Sequence, residues 1–183
     1  MTGELEPQAL LLRGINVGGH RKLPMADLRA WCAAEGWADV ATYIQSGNVA
    51  LRAPTAPADT ALRLAEIVEA RAGFDVRVLG RSAAELGAVA DEATAHFGSS
   101  DPSRVLVVFR DDTENLEDLE RRLASIDAGD DRWWFAPTYL LLDVPNGQSR
   151  SKVAEVVMAS AIGRAGTARN LRTVAKLVEM VTS

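Results

Sequence analysis

Leu10-Leu11-Leu12-Arg13-Gly14-Ile15-Asn16-Val17-Gly18-Gly19 is an apolar run that passes straight into a glycine-studded turn, followed at once by His20-Arg21-Lys22. A run this short, bounded by Gly, predicts a buried strand over residues 8–13. Three glycines within six residues let the backbone adopt left-handed conformations and turn amide N–H groups toward a ligand. No carboxylate interrupts the chain between Glu6 and Asp27, so nothing in this stretch repels an anion.

Outward from that strand the elements follow in order. Pro24 suits a first helical turn, and Met25, Leu28, Trp31 and Cys32 recur at helical spacing until Gly36. Residues 40–45 and 48–52 are β-rich runs joined by Ser46-Gly47, the composition of a tight hairpin. Residues 59–71 carry Ala61, Leu64, Ala65 and Val68 on one helical stripe ended by Gly73; a strand over 74–79 follows. Ser82-Ala83-Ala84-Glu85 is a capping box opening the next helix. Residues 98–103, Gly-Ser-Ser-Asp-Pro-Ser, have linker composition, which divides the chain into 1–97 and 104–183.

Beyond the linker the same order returns: strand 104–109, helix 114–125, strands 132–135 and 139–143, helix 151–161, a short strand 166–168 and a closing helix 170–181. Each half therefore reads β-α-β-β-α-β-α. The fold class is α+β, two ferredoxin-like subdomains (βαββαβ with an added helix) on antiparallel sheets, spatial order 4-1-3-2. In that order strands one and two both flank strand three and run the same way. The turn after Arg13 and the Ser46-Gly47 hairpin thus fall at one end of the sheet, about 10 Å apart, two strand spacings. The equivalent loops of the second half, Arg110-Asp111-Asp112-Thr113 and Ala136-Pro137-Thr138, are acidic or plain, which assigns a ligand site to the first half.

Composition narrows the function classes. With 183 residues and 48% hydrophobic content the chain can bury a core, and no apolar run approaches the ~20 residues of a membrane helix. The start, Met1-Thr2-Gly3-Glu4-Leu5-Glu6-Pro7, lacks the basic and apolar regions of a secretory signal, so a cytoplasmic location is expected. Cys32, the sole cysteine, cannot form an internal disulfide. A net charge of −5 argues against indiscriminate nucleic-acid binding. Charge is uneven: residues 101–131 hold ten acids against four bases, whereas residues 144–178 hold six bases and only Glu155.

Several stretches match a family. Leu11-Leu12-Arg13-Gly14-Ile15-Asn16-Val17-Gly18-Gly19, Met25 with Leu28, and Thr42-Tyr43-Ile44-Gln45-Ser46-Gly47-Asn48-Val49 resemble the opening of the bacterial family catalogued as domain of unknown function 1697. Arg150-Ser151-Lys152 and Thr167-Ala168-Arg169-Asn170-Leu171-Arg172-Thr173-Val174-Ala175-Lys176-Leu177 resemble its closing signature, with Leu171 where a Trp is usual. The resemblance implies a cytoplasmic protein of two ferredoxin-like subdomains and brings no catalytic residues.

The candidate ligand-binding residues are Arg13, Gly14, Asn16, Gly18, Gly19 and Lys22 in the turn; Tyr43, Ser46, Gly47 and Asn48 at the hairpin; and Arg169, Asn170, Thr173 and Lys176 around the last helix. The turn is neither a P-loop, lacking Gly-Lys-Ser/Thr, nor a dinucleotide fingerprint; it reads as an anion nest with Arg13, Arg21 and Lys22 beside it. Asn16 alternatively braces its own loop, and Asn170 caps its helix. Ser46 lacks a nucleophile elbow and reads as a turn residue. His20 and His96, without second ligands at metal spacing, give no metal site, and no cofactor is expected. The pattern favours binding of a phosphorylated small molecule or nucleotide; the alternatives are a transferase acting on a phosphorylated substrate and a regulatory module for nucleic acid or a partner. Base stacking on the sheet is disfavoured because strands one and three contain no aromatic residue.

Overall fold

The computed structural model describes residues 4–111 and 116–183. The Asp112-Thr113 part of the acidic loop, the start of the helix read from Glu114, and the first three residues lie outside the described residues. The chain divides into two compact units. One runs to Ala88 and includes Ala175–Ser183; the other is Val89–Val174. The division falls inside the two added helices.

The first unit contains β1 (Glu6–Leu12), α1 (Met25–Ala34), β2 (Ala38–Tyr43), β3 (Asn48–Ala53), α2 (Pro57–Ala72) and β4 (Val78–Ser82), leading into α3 (Ala83–Phe97). The second contains β5 (Val105–Phe109), α4 (Glu117–Ala124), β6 (Arg132–Ala136), β7 (Tyr139–Asp143), α5 (Lys152–Ala159), α6 (Ala161–Ala165) and β8 (Thr167–Asn170), leading into α7 (Leu171–Thr182). The sheets run β2-β3-β1-β4 and β6-β7-β5-β8, every described pairing antiparallel, as expected for two ferredoxin-like units.

In each unit one sheet face packs on two helices. Leu10, Leu12, Val49 and Leu51 meet Leu28 and Cys32 of α1 and Leu64 and Val68 of α2. Leu106, Val108, Leu140 and Leu142 meet Leu119 and Leu123 of α4 and Val153 and Val157 of α5. The central strands carry apolar residues on successive positions because both of their faces are dry: Ala9 and Leu11, like Leu10 and Leu12, have no exposed surface.

The repeat is one of geometry. Arg81 stands opposite Ala9 in β4 and Arg169 opposite Val107 in β8, and both guanidinium groups are buried, Nη1 donating to the carbonyl of the preceding residue. The next residue caps the following helix in each case: Ser82 Oγ accepts from the Glu85 amide, Asn170 Oδ1 from the Thr173 amide. Burial lowers the Arg169 pKa to about 10, so the group stays charged at neutral pH.

Three elements differ from the sequence expectation. The strand read over 40–45 lies at 38–43, so four residues, Ile44 to Gly47, and not Ser46-Gly47 alone, join β2 to β3. The strand read over 74–79 lies at 78–82, because Leu12↔Val78 through Gln8↔Ser82 is the register that completes the sheet, while Val76 enters the core from the preceding loop. The single helix read over 151–161 is broken at Ser160, whose hydroxyl accepts from the Gly163 amide and starts α6.

Candidate functional site

The two loops meet because Gly47, at the end of the hairpin, continues the β1–β3 pairing one residue beyond Leu11↔Asn48. The Leu12 amide donates to Gly47 O at 2.8 Å, and Gly47 has φ 80° with its α-carbon pressed against Leu12 and Ile15; a Cβ there would lie 2.7 Å from Leu12 Cβ. Glycine is required at Gly47 by both the backbone and the space. Asn48, wholly buried, donates its side-chain amide to Tyr43 O and Ser46 Oγ, both at 3.0 Å, and so fixes the hairpin from inside.

Asn16 ties the loops together. Its Nδ2 donates to Leu23 O and to Gln45 O, each at 2.9 Å, and its Oδ1 accepts from the Leu23 amide at 2.8 Å. One side chain thereby closes the glycine loop on itself and joins it to the hairpin. Left-handed backbone at Gly14, Asn16, Gly18, Gly19 and Arg21 carries the chain around it, with Asn16 N donating to Arg21 O.

This arrangement leaves a groove of about 560 Å³, lined by Asn16, Gly19, Lys22, Leu23, Gln45 and the first residues of α1. Pro24 is the N-cap of α1 and no side chain caps that end, which leaves the first-turn amides without a side-chain cap beside the groove; Asp27, exposed in the same turn, stands outside the lining. Lys22 is exposed and, among the described residues, forms no ion pair; the lining includes no carboxylate. Arg21, by contrast, pairs with Asp75 at 3.4 Å. An ammonium, an uncapped helix N-terminus and a stretch of apolar wall from Leu23 to Ala26 can together hold an anionic group with an apolar body.

The remaining predicted residues divide by role. Asn16, Gly19 and Lys22 line the groove; Gly14 and Gly18 shape its loop; Ser46, Gly47 and Asn48 support the hairpin beneath it. Half-buried Arg13 and Tyr43 flank these loops without lining the groove, Arg13 N donating to Arg77 O. Arg169, Asn170 and Thr173 belong to the second unit, with Thr173 buried and Asn170 occupied as a cap. Lys176 pairs with Glu179 at 2.7 Å. Gln45 and Leu23 to Ala26 are the lining residues that motif reading omits; the only local signal is Pro24, which marks the helix start that brings them there.

A family model described as protein of unknown function (DUF1697) matches residues 5–139. The structure of the conserved bacterial protein SP0830 from Streptococcus pneumoniae is similar, with TM-score 0.79, 24% identity, and coverage of 97% of this chain and 99% of that one. At that identity the likeness establishes the fold. No curated relative matches the chain at a significant level. Among the described residues no helix is long and apolar enough to cross a membrane.

Proposed function

We propose that this chain, which belongs to the DUF1697 family of proteins of unknown function, binds a small phosphorylated molecule or nucleotide in the groove of its first unit. The observation that carries the reading is the uncapped N-terminus of α1 sharing one groove with Lys22 and, among the described lining residues, no carboxylate. A phosphate there would take hydrogen bonds from first-turn amides and charge from the ammonium, and the sugar or base would lie along Leu23 to Ala26. The rigid bracing by Asn16 reduces the entropy lost on binding. With one cysteine, buried, and no disulfide to protect, the cytoplasm is the compartment that fits.

Stacking of RNA bases on the sheet is not favoured, since the second face of β1 and β3, at Ala9, Leu11 and Ala50, is buried. Thermal unfolding against a panel of nucleotides, sugar phosphates and inorganic phosphate tests the proposal. A ligand at about 100 times its Kd adds about 2.7 kcal/mol, a rise of roughly 5–10 °C for a chain of this size. Lys22→Glu should abolish that rise while leaving the unliganded Tm unchanged. No stabilisation across the panel, or a rise retained in Lys22→Glu, would overturn it.

A further inference from the structure

The sheet of the second unit ends at β6, Arg132-Trp133-Trp134-Phe135-Ala136, and among the described residues no strand pairs with its outer side. An open edge offers unpaired amides and carbonyls to any other strand, and folded chains guard against it. The β2 edge of the first sheet carries such a guard. Its register breaks between Ala38 and Ala41, and Asp39 between them is left-handed, at φ 52°, and ion-paired with Arg52. β6 has no such break: all five residues pair with β7 in continuous register, and its one charge, Arg132, is drawn onto Asp143 and over the Phe97 ring. Trp134 stacks on His96 at 3.9 Å and donates Nε1 to Glu92, yet 41% of its surface stays exposed and free for contact.

The two-residue Pro137-Thr138 turn decides which backbone groups are open. Ala136 and Tyr139 form the hydrogen-bonded pair that closes it, and such pairs alternate along an antiparallel ladder, so Arg132, Trp134 and Ala136 bond to β7. Trp133 and Phe135 therefore turn their N–H and C=O groups outward. With a two-fold axis at Trp134, Trp133 of one copy faces the partner's Phe135 and Phe135 the partner's Trp133, which closes four hydrogen bonds. Trp134 then meets the partner's Trp134 as a non-hydrogen-bonded pair, and Arg132 meets the partner's Ala136. Aromatic cross-strand pairs are favourable, and no like charges stand opposite one another. One step further, Asp131 reaches the partner's Pro137. The Pro137 carbonyl accepts from Arg110 Nη2, so the acidic entry to each β6 falls beside a guanidinium of the other copy.

We infer that β6 is a homodimer edge, where a second copy of this chain adds its own β6 antiparallel and joins two four-stranded sheets into one of eight strands. A second copy is the occupant that fits, because the same five residues supply both sides of every pair and the flanking charges are complementary.

Sedimentation velocity of the full chain up to about 500 μM tests this and should show a species of twice the chain mass, with Kd below about 100 μM. Trp134→Lys sets two ammonium groups face to face on the axis and should weaken dimerisation at least tenfold. Trp134→Cys brings the two sulfurs within disulfide reach, so oxidised glutathione should give a covalent dimer, whereas Thr138→Cys, about 25 Å from its counterpart in this register, should not. Cys32 is buried and does not compete. A monomer throughout the range, a dimer undiminished in Trp134→Lys, or no cross-link in Trp134→Cys would overturn the inference. Should Trp134→Lys lose its fold by circular dichroism, sedimentation of the parent and cross-linking of the two cysteine variants decide.

Discussion

Asn16 holds left-handed backbone at φ 55° and engages its whole side-chain amide in three bonds to Leu23 and Gln45. At about 1 kcal/mol per bond, and with a partly buried Leu23 amide left behind, Asn16→Ala should destabilise the fold by about 2–4 kcal/mol in urea unfolding. Asn16→Asp should do the same, since a carboxylate would face two carbonyls; a loss under about 0.5 kcal/mol in either variant would contradict the bracing role. Ile44 is the reverse case. A β-branched residue at φ 50° and 52% exposed carries strain and buries little, so Ile44→Asn should raise stability by about 1 kcal/mol. An unchanged or lower denaturation midpoint would count against that strain. Neither role is legible from composition: Asn16 finds Gln45 29 residues away, and the left-handed geometry at Ile44 is imposed by the four-residue connection that Asn48 holds from within.

Elements governed by local chemistry were readable, and those governed by distant backbone were not. The Ser82–Glu85 capping box and the left-handed Gly73 that ends α2 are set within a few residues, and both stand where the sequence puts them. The break between α5 and α6 depends on Gly163, where a Cβ would lie 2.2 Å from Val157 O. Gly163→Ala should therefore cost about 2–3 kcal/mol, despite alanine's higher helix propensity. A stabilised variant would show the turn to be loosely packed. On α1, burial pushes the Cys32 thiol from 9.0 up to about 12. The folded state thus keeps a proton that the unfolded chain releases above pH 9, and stability contributed by the neutral thiol declines as pH rises through that window, by at most about 1.4 kcal/mol per unit. Comparison of Cys32→Ala with the parent between pH 8 and 11 isolates this slope; identical slopes would rule it out.

At the scale of the whole molecule, the sheet order of both units followed from the element order and right-handed crossovers. Ala175–Ser183 group with the first unit, Leu177 and Val181 of α7 are buried, and Val181 and Met180 share a crevice with Pro7 and Leu51. Residues 1–97 expressed alone should accordingly aggregate or unfold at lower denaturant than the full chain, with residues 98–183 restoring solubility when supplied in trans; full-chain stability of the fragment would contradict this.

The central claim, an anion-binding groove built by the glycine loop, the hairpin and α1, is tested most directly by amide chemical-shift mapping of the full chain titrated with a phosphorylated ligand found by thermal screening. The account predicts saturable shifts concentrated at Gly18, Gly19, Lys22, Met25 and Ala26, absent in Lys22→Glu. Shifts centred elsewhere, or spread evenly and unaffected by Lys22→Glu, would contradict it.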